Sequence, residues 1–152
     1  MQLHILTFLL TTLSLHAQVG TVIKVKDGDT IVILDDDYTQ HTIRIADIDC
    51  PEKGQPFGTQ AKKFTSRAIF GKEVSVREKT KDHYGRSIGY VTYDNDKDLG
   101  QELLKVGLAW HYAYYSDDEY LASLQREARK HKRGLWVEPD PINPYQWRKG
   151  KR

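Results

Sequence analysis

Thr21-Val22-Ile23-Lys24-Val25-Lys26-Asp27-Gly28-Asp29-Thr30-Ile31-Val32-Ile33-Leu34-Asp35-Asp36-Asp37, running on through Tyr38–Ala46, decides the architecture of this chain. Thr21, Ile23 and Val25 alternate with Val22, Lys24 and Lys26, the period of a half-buried strand. Thr30–Leu34 reads as a second strand. The three aspartates supply turn chemistry, and Tyr38–Ala46 returns as a third strand, so the segment reads as a hairpin. Glu73–Lys79 and Ser87–Tyr93 continue the extended pattern as strands four and five. Helical spacing appears elsewhere. Ala61, Phe64, Ala68 and Ile69 lie on one face of a helix ended by Gly71, and Leu99, Leu103 and Val106 mark a short second one stopped by Gly107. Ser116-Asp117-Asp118-Glu119 reads as a capping box ahead of Tyr120, Leu121, Leu124 and Ala128, with Gly134 closing that third helix. The order β-β-β-α-β-β-α-α predicts an α+β fold, a five-stranded barrel of OB type with three helices.

Bulk properties bound the rest. With 152 residues, 39% hydrophobic and 29% charged, the chain is expected to form one soluble domain with a modest core. A net charge of +2 permits a polyanionic partner without requiring one. Arg126, Arg129, Lys130, Lys132 and Arg133 crowd one segment, and Arg148, Lys149, Lys151 and Arg152 crowd the end. Taken alone, such clusters read first as a solvated helix face and a soluble tail. The uncharged run Ile5–Leu10, extended by Leu13 and Leu15 and followed by His16-Ala17-Gln18, reads as an export signal cleaved after Ala17. No Lys or Arg precedes that run, and the alternative is an uncleaved segment packed on the domain. The expected division is therefore a signal over residues 1–17, a folded domain over 18–138 and a basic tail over 139–152. Cys50 is the single cysteine, which excludes an intramolecular disulfide.

Chemistry gathers at the breaks between extended segments. Asp29 opens a strand directly after a glycine turn. Arg44 and Asp49-Cys50-Pro51-Glu52 follow, and then Tyr84-Gly85-Arg86. Carboxylates at strand ends suit a hard cation that takes oxygen ligands, and the arginine fork matches two phosphate oxygens. Glu52 is left to handle a water. That kit fits cleavage of a nucleic-acid backbone. Arg44 and Asp49 have opposite strand parity, so the chain must bend or bulge before Pro51 for both to reach one site. Asp94-Asn95-Asp96-Lys97-Asp98 starts like a calcium loop but carries Leu99 where glycine is required and Lys105 where the bidentate acid belongs; it reads as a turn. No His and Cys spacing suited to zinc occurs. Two other classes compete. A non-catalytic nucleic-acid-binding barrel would use the basic surface and the aromatics Trp110, Tyr112, Tyr114 and Tyr115, yet acids in its groove would repel the ligand. A calcium-binding structural domain would keep the acids and have no use for Arg44 and Arg86.

Asp29 after Asp-Gly, Arg44, Asp49-Cys50-Pro51-Glu52, Gln55-Pro56-Phe57-Gly58, Asp82-His83-Tyr84-Gly85-Arg86 and Gly107-Leu108-Ala109 together resemble the staphylococcal nuclease (thermonuclease) family, in order from about Gly20 to Trp136. The resemblance implies an OB-fold barrel with three helices and Ca²⁺-dependent cleavage of single-stranded or locally opened DNA and RNA, leaving 3′-phosphate ends. Export, to the periplasm or the medium, is expected from the leader at residues 1–17; a monomer is expected, with no membrane contact and no protein partner implied. By the same resemblance, Asp29, Asp49 and the Cys50 carbonyl oxygen would bind calcium, and Glu52 would orient or deprotonate the attacking water. Arg44 and Arg86 would hold the phosphate, while Tyr84, Tyr115 and His83 would line the nucleotide. The chain departs from the family pattern at Ala113, where a base-side tyrosine is expected, at His83 in place of a lysine, and at Asp47 in place of a small or apolar residue.

Overall fold

A computed structural model describes residues 17–150; the export signal expected over residues 1–17 lies, but for Ala17, outside the described residues. Eight strands appear in chain order among those residues: β1 (Gln18–Asp27), β2 (Thr30–Leu34), β3 (Gln40–Ile45), β4 (Ile48–Asp49), β5 (Glu73–Lys81), β6 (Ser87–Tyr93), β7 (Lys97–Asp98) and β8 (Trp110–His111). The helices are α1 (Gly58–Ile69), α2 (Leu99–Lys105), α3 (Glu119–Lys130) and α4 (Pro144–Arg148), with a 3-10 turn at Gly134–Val137.

The main sheet runs β3-β2-β1-β5-β6-β7, antiparallel between neighbours. It closes on itself where β3 pairs parallel with β6, Ile43 opposite Ser87 and Ile45 opposite Gly89. Five strands thus form the closed OB barrel that the strand order predicts. Its interior is filled by Val22, Ile31, Ile33, Ile43, Ile45, Val74, Val76 and Val91, each at most 2% exposed. Removing such a side chain from water contributes roughly 1.5–3 kcal/mol. Helix α1 seals one end with Ala61, Thr65 and Ile69, spaced at i, i+4 and i+8. A satellite cluster of Ala128, Leu135 and Trp136 packs with Phe57 and Trp110 beside α3.

Three local readings change. Simple alternation fails in β1: the register slips between Val22 and Lys24, so Val22 and Val25 are buried while Ile23 is 36% exposed. A bulge at that point adds one residue and reverses parity. The third helix is capped by Asp118, whose carboxylate accepts from the N–H groups of Tyr120 and Leu121, and not by Ser116. Ser116 instead meets His111 Nε2 at 3.0 Å. The same helix ends at Lys130 with Lys132 in a left-handed conformation, before Gly134 is reached. Asp94, Asn95 and Asp96 all have positive φ, the geometry of a tight turn between β6 and β7.

Candidate active site

The Asp27-Gly28-Asp29-Thr30 turn joins β1 to β2 and is buried under α1 rather than solvated. A Cβ on Gly28 would lie 2.7 Å from the Ala61 Cβ and 2.9 Å from Cys50, so only glycine fits there. The Thr65 hydroxyl donates to the Gly28 carbonyl and ties the turn to the helix. Asp29 is consequently 5% exposed. Its Oδ2 accepts from the Cys50 N–H at 2.7 Å and from Arg44 Nη1 at 2.8 Å, and its Oδ1 from the Thr30 hydroxyl at 3.2 Å.

The bend that the parity of Arg44 and Asp49 demands occurs at Ala46–Asp47, where Asp47 adopts φ 62° between β3 and β4. Its side chain, 4% exposed, accepts from Lys79 Nζ and from the Tyr90 hydroxyl at 2.6 Å. Burial and the Asp47 carboxylate push the Tyr90 phenol up to about 12. Asp47 is thus a structural acid: aspartate tolerates the left-handed region, and two donors satisfy it. The bend turns Asp49, 3% exposed, back toward Arg44, whose Nη2 reaches Asp49 Oδ1 at 2.8 Å.

One guanidinium therefore bridges two buried carboxylates. Burial opposes the charge on Arg44, but Asp29 and Asp49 outweigh it and hold the group more firmly protonated. Arg44 also donates from Nη1 to the carbonyls of Ile45 and Ile48. Its Nε and one Nη2 donor have no protein partner among the described residues, and its side chain is 14% exposed, which leaves donors for an added anion.

Cys50 is 3% exposed, and burial followed by the Asp29 charge raises its thiol well above the ordinary range. Burial closes the thiol off from solvent, which argues against a nucleophilic role, since the exposed thiolate is the reactive form. Glu52 lies on the loop after Pro51, its N–H held by Gln55 Oε1 at 2.9 Å. Asp27 lies beside the pair. Its Oδ1 accepts from the Asp29 N–H at 3.3 Å, and burial with the Asp29 charge raises its acid to about 7.

Arg148 belongs to a segment whose local sequence has the character of a soluble basic tail, yet it reaches the site. It arrives on α4, whose N-cap Asn143 accepts from the Gln146 N–H and whose first position is Pro144. Gln55 Nε2 donates to the Ile142 carbonyl at 2.7 Å and ties this segment to the Glu52 loop. Arg148 Nη2 then reaches Asp49 Oδ2 at 2.9 Å, while Nη1 reaches Asp49 Oδ1 at 3.2 Å and also Glu52 Oε1. Burial raises the Asp49 carboxyl, and the two arginines offset part of that rise. The sequence did carry a signal for α4, since Asn-Pro is an N-cap followed by a favoured first residue. Nothing local pairs residue 148 with residues 49 and 52.

Arg86 stands one residue before Ser87, at the barrel rim where β3 and β6 close. Its Nε is held by Asp82 Oδ2 at 2.7 Å within the Asp82–Arg86 turn, so it lines the rim without joining the carboxylate pair. Tyr84 is 75% exposed on the same turn, with its ring 3.8 Å from that of His83. Tyr115, 65% exposed, contacts Tyr112 and Tyr114 edge to face. The β4–β8 pairing sets Asp49 opposite Trp110 and brings this tyrosine run alongside the acids.

Among the described residues no group of three or more His, Cys, Asp or Glu side chains is arranged as a ready metal cage. Asp29 and Asp49 are an oxygen-only pair whose separation is fixed by one guanidinium. Such a pair fits a hard cation that completes its shell with carbonyl, water and substrate oxygens.

Comparison with known proteins agrees with this geometry. Residues 42–138 match a family model described as staphylococcal nuclease homologue. A protein named "Uncharacterized endonuclease" from Escherichia coli O157:H7 is 40% identical over 85% of this chain and 84% of its own length. One of the same name from Haemophilus influenzae is 38% identical over 84% of this chain and 71% of its own. A "Micrococcal nuclease" from Shigella flexneri is 37% identical over 86% and 80%. With more than half of the chain matched and relatives covered over most of their length, this chain belongs to the staphylococcal nuclease family.

Proposed function

We propose that this protein is an exported, calcium-dependent endonuclease that hydrolyses phosphodiester bonds of DNA and RNA and leaves 3′-phosphate ends. The observation that carries the reading is the buried Asp29–Arg44–Asp49 bridge at the rim of a closed barrel, in a member of a nuclease family. A non-catalytic nucleic-acid binder would gain nothing from burying two carboxylates in a groove meant for polyanions. Asp29, Asp49 and the Cys50 carbonyl would hold the cation, which when bound supplies Lewis-acid polarisation of the phosphate. Glu52 takes the proton of the attacking water. Arg44 places its two remaining donors on phosphate oxygens, and Arg86 adds a second guanidinium at the rim. Both favour the transition state, whose phosphate carries more negative charge than the substrate. Tyr84, Tyr115 and His83 offer exposed rings for the sugar and base. Two carboxylates and one carbonyl fall short of the six to eight oxygens that calcium prefers, so metal affinity should rise when a nucleotide is bound.

The test is release of acid-soluble nucleotides from denatured DNA and from RNA by residues 18–152, with excess calcium or with EDTA. Calcium-dependent cleavage of both supports the reading. A folded protein that binds single strands and cuts neither would hand the site to the binding-module alternative.

A further inference from the structure

The structure places two arginines on the acids, Arg44 and Arg148, and the second has no part in the function proposed above. Arg148 clasps Asp49 with both terminal nitrogens and Glu52 with one of them. This is the geometry with which an arginine holds a phosphate, with carboxylate oxygens standing where phosphate oxygens would stand. Asp49 Oδ1 already accepts from Arg44 and Arg148, and Oδ2 accepts from Arg148, so a cation approaching Asp49 meets a guanidinium on the oxygen left to it. Cation and clasp compete for the same carboxylate. Arg148 is also built to remain close by. Its Nε and one Nη2 donor have no protein partner among the described residues, and its side chain is 38% exposed. Its helix is tied through Ile142 and Gln55 to the loop that carries Glu52.

We propose that Arg148 is a third substrate-phosphate-binding arginine, held ready on Asp49 and Glu52 in the free protein and yielding its place on Asp49 to a divalent cation as the phosphodiester binds. The proposal rests on the nuclease reading. It deepens that reading by assigning to the C-terminal segment a contact with the scissile strand. It also gives Glu52 two states, clasped and idle in the free protein, released to water once Arg148 has moved to the phosphate.

Two calorimetric titrations test it, on wild type, Arg148→Ala, Arg148→Lys and Arg148→Gln, with near-ultraviolet circular dichroism as the check on folding. In calcium titrations without nucleotide, Arg148→Ala is expected to bind the ion about tenfold more tightly, because one charge-assisted competitor for Asp49 is gone. In titrations of a nucleoside 3′,5′-bisphosphate at saturating calcium, the same variant is expected to bind about tenfold more weakly, with Arg148→Lys recovering part of the loss. Unchanged or weakened calcium affinity in a folded variant would overturn the exchange, as would unchanged bisphosphate affinity. Should Arg148→Ala fail to fold, Arg148→Gln carries the same two expectations and the same two refutations. A wild type that neither binds calcium nor cleaves nucleic acid overturns the nuclease reading and this proposal with it. A wild type that does both, beside variants that match it in both titrations, overturns the proposal alone.

Discussion

Asp27 and Glu52 flank the buried pair and owe their behaviour to opposite surroundings. Asp27 sits in the buried turn, where desolvation and the Asp29 charge raise its acid from an ordinary 3.8 to about 7. The folded chain therefore keeps a proton there that the unfolded chain has already lost between pH 4 and 7. The stability tied to that proton is fully present below about pH 4 and is lost as pH rises through about 7. Asp27→Asn keeps the oxygen that accepts the Asp29 N–H and removes the titration. Urea unfolding in EDTA should show the variant gaining on wild type from pH 4 to pH 8, by on the order of 2 kcal/mol once partial exposure is allowed for. A gap that stays flat with pH would show that Asp27 is not held protonated by the fold. Glu52 faces solvent more openly, with a side chain 35% exposed, and under the function proposed above it accepts the proton of the attacking water. Glu52→Gln should lower kcat by about 10²–10⁴-fold while changing nucleoside bisphosphate affinity far less. Equal losses in both would make Glu52 a binding residue and remove the base from the mechanism.

Among the elements, the Gly28 turn has the least room. The atoms that a new Cβ would strike are the Cβ of Ala61 on α1 and the Cβ and Sγ of Cys50, groups close to the backbone that cannot swing aside. Gly28→Ala should therefore cost about 1–3 kcal/mol in denaturant unfolding and should displace Asp29, weakening calcium binding along with stability. A variant as stable as wild type would mean that α1 can lift off the turn. The same elements show what local sequence can and cannot reveal. Strands β2 and β6 are legible to the residue, because each alternates or runs apolar between clear breaks. The β1 bulge at Ile23 is not, since the extra residue is set by its pairing with β2. The sharp bend at Asp47 is required by the parity of Arg44 and Asp49, yet its position depends on Lys79 and Tyr90, more than thirty residues away. Helix α4 has five residues, too few for a hydrophobic period, so only its Asn-Pro start could mark it. Asp29, Arg44, Asp49 and Glu52 are visible as a motif because they sit at strand ends near one another in sequence. Arg148 is hidden because its contact spans 99 residues and its neighbours read as a basic tail.

At the scale of the molecule, the barrel and the C-terminal segment meet at the site, and their coupling decides whether the protein opens as one unit. The three tryptophans, Trp110, Trp136 and Trp147, all lie on the C-terminal side: two in the satellite cluster and the third beside Arg148 on α4. Trp147 shares an apolar pocket with Pro51, Phe57 and Trp110, next to the loop that carries Glu52. Indole fluorescence therefore reports the C-terminal packing, whereas far-ultraviolet circular dichroism is dominated by the barrel and its helices. Gln55 joins the two. It is 6% exposed, its carbonyl oxygen accepts from Glu52 and its amide donates to Ile142. In wild type the two signals should trace one coincident transition in urea, because the satellite cluster shares Phe57 and Trp110 with the pocket beside the Glu52 loop and has too little buried surface to persist alone. Gln55→Leu leaves the Ile142 carbonyl and the Glu52 N–H without their partner, a loss of about 1–3 kcal/mol. In that variant the fluorescence transition should move to lower urea than the dichroism transition, with the C-terminal segment releasing first. Coincident curves in the variant would place the coupling in the apolar contacts of Trp136 and Trp147 instead. Separate curves already in wild type would show that the segment delivering Arg148 docks independently of the barrel, and that the site is completed only when it does.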